Sequence, residues 1–133
     1  MKAAKVEGLN GGSVTLDESV LGGLKAGLRG ALIFPGDEGY DKARTIWNAM
    51  IDRRPGLVIQ CAGVNDVKCA VDFVRSNGLC SSVKGGGHNI AGSAVCENGV
   101  LIDLSGMRSV RIDPKAKIAH VELIPSGVAN PKA

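Results

Sequence analysis

The sequence predicts an α+β domain, a small mixed sheet with flanking helices, and three observations carry that expectation. Helical and extended patterns alternate from Asp17 to Lys84. Three β signals then follow in quick succession, at Val100–Leu104, Ser109–Asp113 and Lys117–Glu122. The composition, 44% hydrophobic and 22% charged over 133 residues, is that of one soluble globular domain. A chain of this length buries roughly two-thirds of its unfolded surface, enough for one core. An α/β layering is the neighbouring alternative.

Residues 1–16 read as a loose leader in which Ser13–Leu16 could form a short strand. A first helix follows. Asp17 or Ser19 can cap it, Leu21, Leu24 and Leu28 recur at helical spacing, and Gly30 suits its exit. Ala31–Phe34 is extended and ends at the Pro35-Gly36 turn. The pattern Ala43, Ile46, Trp47, Met50 gives one apolar helical stripe that Pro55-Gly56 terminates. Leu57–Cys61 is a compact apolar strand. Asn65 can cap a third helix, in which Val67, Ala70, Val71 and Val74 repeat the helical spacing before Gly78. Ser81–Lys84 is strand-like and runs into Gly85-Gly86-Gly87. Turn chemistry stands at Asn98-Gly99, before the last three strands, and at Asp113-Pro114, between the final two, which pair as a hairpin.

Several function classes fit poorly. The net charge of +3 is not clustered, and the four aromatic residues do not interleave with basic ones, so a nucleic-acid partner is not expected. Cys61, Cys69, Cys80 and Cys96 contain no C-x-x-C, which argues against structural zinc and leaves them as small buried hydrophobes. No stretch approaches a membrane span, and no secretory signal opens the chain, so a cytoplasmic location is the expectation.

The chemistry concentrates in Lys84-Gly85-Gly86-Gly87-His88-Asn89-Ile90-Ala91-Gly92-Ser93. Consecutive glycines leave backbone N–H groups bare, and successive N–H groups in a turn make a concave anion site. Lys84 at the entrance adds a positive point charge. A phosphate or pyrophosphate suits such a loop. The common phosphate motifs do not: Ser93 stands where a Walker loop needs Lys, and Ile90 where a dinucleotide fingerprint needs its last Gly.

Lys84–Ser93 resembles the R-x-G-G-H-[NSD] loop of the FAD-linked oxidases, the vanillyl-alcohol-oxidase/PCMH-type and berberine-bridge-enzyme-like family that includes 6-hydroxynicotine oxidase. The flanks match in order: Pro35-Gly36-Asp37 with Tyr40, Trp47-Asn48 and Pro55 upstream, then Asn65-Asp66-Val67 with Phe73, then Gly99–Ser105 with Met107 and Val110–Asp113. The resemblance implies residues 28–122 as the N-terminal part of a PCMH-type FAD-binding domain; residues 1–27 read as leader and helix, and 123–133, with two prolines and no periodicity, as an irregular tail. It implies FAD as cofactor, with Lys84, Gly85, Gly86, Gly87, His88, Asn89, Gly92 and Ser93 around it. His88 matches the histidine that bonds covalently to the flavin 8α-methyl carbon. A small-molecule alcohol, amine or sugar is the implied substrate of the complete enzyme.

Three departures qualify the match. Lys84 replaces the usual Arg. Cys96 does not match the second attachment cysteine of some relatives. The resemblance stops at Glu122, before any catalytic base, so a truncated, non-catalytic chain that binds FAD weakly or not at all is the competing reading. The remaining candidates have plainer roles. Trp47 packs in the core, Asn48 approaches the cofactor only by resemblance, and Arg53-Arg54 is a solvated helix end. Asp103 is a local acceptor, and His120 is structural.

Overall fold

A computed structural model describes residues 2–87 and 92–122. Two short antiparallel strands, β1 (Ala4–Glu7) and β2 (Ser13–Leu16), open the chain. The helix α1 (Glu18–Gly27) leads to β3 (Ala31–Ile33), and the short helix α2 (Tyr40–Arg44) precedes β4 (Leu57–Gln60). The long helix α3 (Val64–Ser76) connects to β5 (Ser81–Lys84), followed by β6 (Val100–Asp103) and the hairpin β7 (Val110–Asp113) and β8 (Ile118–Val121). The central sheet has the order β3-β4-β6-β5, with β3 antiparallel to β4 and the other three strands parallel. It is the mixed sheet of an α+β domain. Among the described residues, no helix is long and apolar enough to cross a membrane.

The two inner strands explain the core. Leu57-Val58-Ile59 and Val100-Leu101-Ile102 are apolar without alternation, as strands covered on both faces must be. Leu57, Ile59, Val100 and Ile102 pack with Leu21 and Leu24 of α1, Ala70 and Val74 of α3, and Val6 and Leu16 of the first hairpin. Val58 and Leu101 face the other way, onto Tyr40, Ala43, Ile46 and Val95. Helices therefore cover both faces.

The expected leader is part of this core. Ala4, Val6 and Leu16 are buried. Glu7 is held on both sides, its N–H donating to the Asn98 carbonyl at 2.9 Å and its own carbonyl accepting from Cys80 N–H at 2.8 Å. The alternation in Ala4-Lys5-Val6-Glu7 is a half-buried strand.

Helix starts follow local chemistry. Asp17 caps α1, its carboxylate accepting from Val20 N–H at 2.9 Å. At α3 the cap position is Gly63, not Asn65, and the next residue along does the fastening. Asp66 is buried and accepts three backbone N–H groups, from Arg29 at 2.9 Å, Gly30 at 2.8 Å and Ala62 at 2.8 Å. Burial alone would raise its pKa, but the three donors together outweigh that and hold it below the ordinary aspartate value.

The second helix departs most from expectation. It stops at Arg44, and Trp47 and Met50 of the anticipated stripe are 75% and 91% exposed. Thr45 takes extended backbone as the C-cap, and its hydroxyl donates to the Asp41 carbonyl. Asn48 then accepts from Met50 N–H through its side chain and from Ile51 N–H through its carbonyl, which closes a turn where the helix would have run. Trp47 is not a core residue. Its N–H serves the glycine loop.

Candidate functional site

The parallel strands β4, β5 and β6 end side by side, and their C-terminal edge is where open α/β sheets bind ligands. Cys61 N–H donates to the Asp103 carbonyl at 2.9 Å and Leu104 N–H to the Lys84 carbonyl at 2.8 Å, so the ladder continues past the last strand residues. Gly85, Gly86 and Gly87 leave this edge directly after β5.

Of the site residues that the sequence singled out, Lys84, Gly85, Gly86, Gly87, Gly92 and Ser93 are described, whereas His88 and Asn89 lie outside the described residues. Among the described residues, the N–H groups of Gly85, Gly86 and Gly87 find no backbone acceptor. That leaves a run of donors at the strand edge. Gly85 and Gly86 are half-buried, Gly87 and Gly92 are buried, and Ser93 is exposed.

Gly87 and Gly92 form the two feet of the loop, and both adopt left-handed backbone, with φ of 70° and 77°. A Cβ on Gly92 would lie 2.9 Å from Ile51 Cγ2, and one on Gly87 would lie 3.4 Å from Ile46 Cα. Each foot is thus pressed against the irregular segment after α2.

Lys84 departs from the sequence reading. It is buried, and its ammonium donates to the Ala43 carbonyl near the end of α2 instead of facing the loop mouth. Strand alternation is the cause, because it puts Lys84 with Ser82 on the face that α2 covers. Burial lowers its pKa, and the charge of Asp103, its partner across the β5–β6 ladder, partly restores it. Asp103 is fully buried. One of its oxygens accepts from Ser105 N–H at 3.0 Å, and the other has no partner among the described residues.

Arg53 was overlooked in the sequence. It is not a solvated helix end, for its guanidinium Nη1 donates to the Gly92 carbonyl at 2.8 Å and to the Val95 carbonyl at 3.0 Å. No local signal could have found it, because its partners lie about 40 residues downstream. His120 lies on the exposed strand β8.

Comparison with known proteins agrees with this geometry. A family described as an FAD binding domain matches residues 55–127. (R)-6-hydroxynicotine oxidase of Paenarthrobacter nicotinovorans is 36% identical over 94 residues, covering 71% of this chain and 20% of that protein. An uncharacterised FAD-linked oxidoreductase of Bacillus subtilis is 30% identical over 98 residues, 74% of this chain and 22% of the relative. The crystal structure of 6-hydroxy-D-nicotine oxidase from Arthrobacter nicotinovorans superposes with a TM-score of 0.67, at 36% identity, over 71% of this chain and 21% of that one. A berberine-bridge-enzyme-like protein of Physcomitrella patens gives 0.66 at 28% identity, over 74% and 21%. The chain spans about a fifth of the length of the relatives it matches. With the glycine loop at the parallel strand ends and these likenesses around it, the chain belongs to the FAD-linked oxidase family and carries the N-terminal part of its PCMH-type FAD-binding domain, whose cofactor is FAD.

Proposed function

We propose that this chain supplies the diphosphate-binding part of an FAD-dependent oxidoreductase acting on an alcohol, amine or sugar, with the flavin attached through His88. One observation carries the reading: three successive glycine N–H groups without backbone acceptors among the described residues sit at the C-terminal edge of the parallel strands. Such a set favours an anion by the partial charge of each N–H and by the absence of side chains in the way. Asn89 and Ser93 add polar groups along the same loop. Lys84 contributes charge from behind the loop while holding α2 to β5.

Bound FAD would supply the redox chemistry, as acceptor of the two electrons that an oxidised substrate gives up. The protein's share is placement. His88 would hold the flavin ring through an imidazole nitrogen on the 8α-methyl carbon, a bond whose formation releases the N–H and one methyl hydrogen as protons and leaves two electrons on the flavin for an external oxidant such as dioxygen to remove.

The experiment is direct. The purified chain is expected to be yellow or to turn yellow with FAD, to keep flavin in the acid-precipitated pellet, and to release it there once His88→Ala is made. Flavin that binds but washes out of the pellet removes the covalent bond and leaves the cofactor. A colourless protein indifferent to added FAD overturns the reading. A second reading, weak FAD binding without catalysis, is favoured by the hairpin β7–β8, which leaves Val110, Ile112, Ile118 and Val121 exposed. An FAD titration separates the two, since that reading predicts only weak, reversible uptake.

A further inference from the structure

The segment after α2 touches the glycine loop at both feet. Trp47 N–H donates to the Gly87 carbonyl at 2.9 Å, and Ile46 packs on Gly87. Five to seven residues later, Ile51 packs on Gly92 and the Arg53 guanidinium binds the Gly92 and Val95 carbonyls. Those two carbonyls belong to one turn, which Val95 N–H closes onto Gly92 O at 3.2 Å. The segment is itself anchored. Arg44 pairs with Asp52 and reaches the Arg53 carbonyl, and Tyr40 OH donates to the Pro55 carbonyl at 2.6 Å. Gly87 and Gly92 are therefore both held by a strap fixed to the body of the protein.

We propose that Arg53 is a positioning residue for the cofactor loop, fastening its Gly92 foot while the Trp47 amide fastens Gly87. The proposal rests on the cofactor reading above. Its physical basis is pre-organisation: a loop whose feet are fixed needs less ordering when a ligand arrives, and less of the binding energy is lost. A guanidinium suits the task because it stays charged at any working pH and its planar fork holds its direction. Arg54 is the control. Its side chain is exposed, and its backbone N–H, which any residue would supply, makes the bond to Glu97 at 3.0 Å.

The test uses the whole chain with Arg53→Ala, Arg53→Lys and Arg54→Ala. Amide hydrogen exchange is followed at residues 92–95 without FAD, and flavin uptake is measured with it. Arg53→Ala is expected to speed exchange at 92–95 by about tenfold while β4 and β6 stay protected. It should also lower flavin uptake by about tenfold. Arg53→Lys should recover part of both effects, and Arg54→Ala should change neither. Should Arg53→Ala not fold, Arg53→Lys carries the test: it must still loosen residues 92–95 and weaken uptake relative to wild type. A wild-type chain that takes up FAD, beside Arg53 variants with unchanged exchange and uptake, overturns the assignment of Arg53 alone. A wild-type chain that takes up no FAD overturns the cofactor reading, and the role of Arg53 with it.

Discussion

Two pairs of four-residue strands differ completely in fate. In β4 and β6 nearly every side chain is buried, and in β7 and β8 every residue is exposed. Both pairs are rich in β-branched residues, so local propensity does not separate them. What differs is what lies above and below. The inner strands have α1, α3 and the first hairpin on one side and α2 with Val95 on the other. Among the described residues, β7 and β8 pair only with each other. Strand propensity selects the local conformation, and burial is decided by the partners the rest of the chain supplies.

The largest effect should come from cutting into the inner pair. Leu101→Ala is expected to cost about 2–5 kcal/mol in urea denaturation, whereas Ile112→Ala on the hairpin should stay within about 0.5 kcal/mol. Equal losses at both sites would erase the contrast. Asp66→Asn comes next, because one amide oxygen cannot serve three N–H donors that two carboxylate oxygens now share. A loss of about 2–3 kcal/mol is expected at neutral pH. Its pH dependence has a definite sign. Asp66 titrates below its ordinary value of 3.8, so its contribution is complete above that value and drains as pH falls through the lower folded-state value. Denaturation at pH 3 and pH 7 should therefore show a smaller acid loss in the Asn variant than in wild type. Smallest is Tyr40→Phe, which removes the bond to the Pro55 carbonyl from a buried position. About 1 kcal/mol is expected by the same denaturation assay.

The sequence was legible where local pattern and tertiary context agree. Asp17 caps its helix as its side-chain type suggests, the apolar runs at Leu57 and Val100 are the buried strands, and Asp113-Pro114 turns the hairpin. It was illegible where distant atoms decide. The stripe Ala43, Ile46, Trp47, Met50 is a sound helical pattern, yet the Asn48 turn and the Gly87 carbonyl draw the backbone out of the helix. The glycine loop could be read because its composition is extreme. The residues that hold it, Ile46, Ile51 and Arg53, look ordinary, and only the fold brings them to it. Lys84 shows the converse. Its charge was plain, but strand alternation turned it inward.

The tight contact at Gly92 has a consequence for engineering. Any substitution there must force both a left-handed backbone and a clash with Ile51. Gly92 is thus a fixed hinge pin, and Gly87 a second one. Variation aimed at a different ligand must leave both pins in place. A library that reaches either pin is expected to lose the frame.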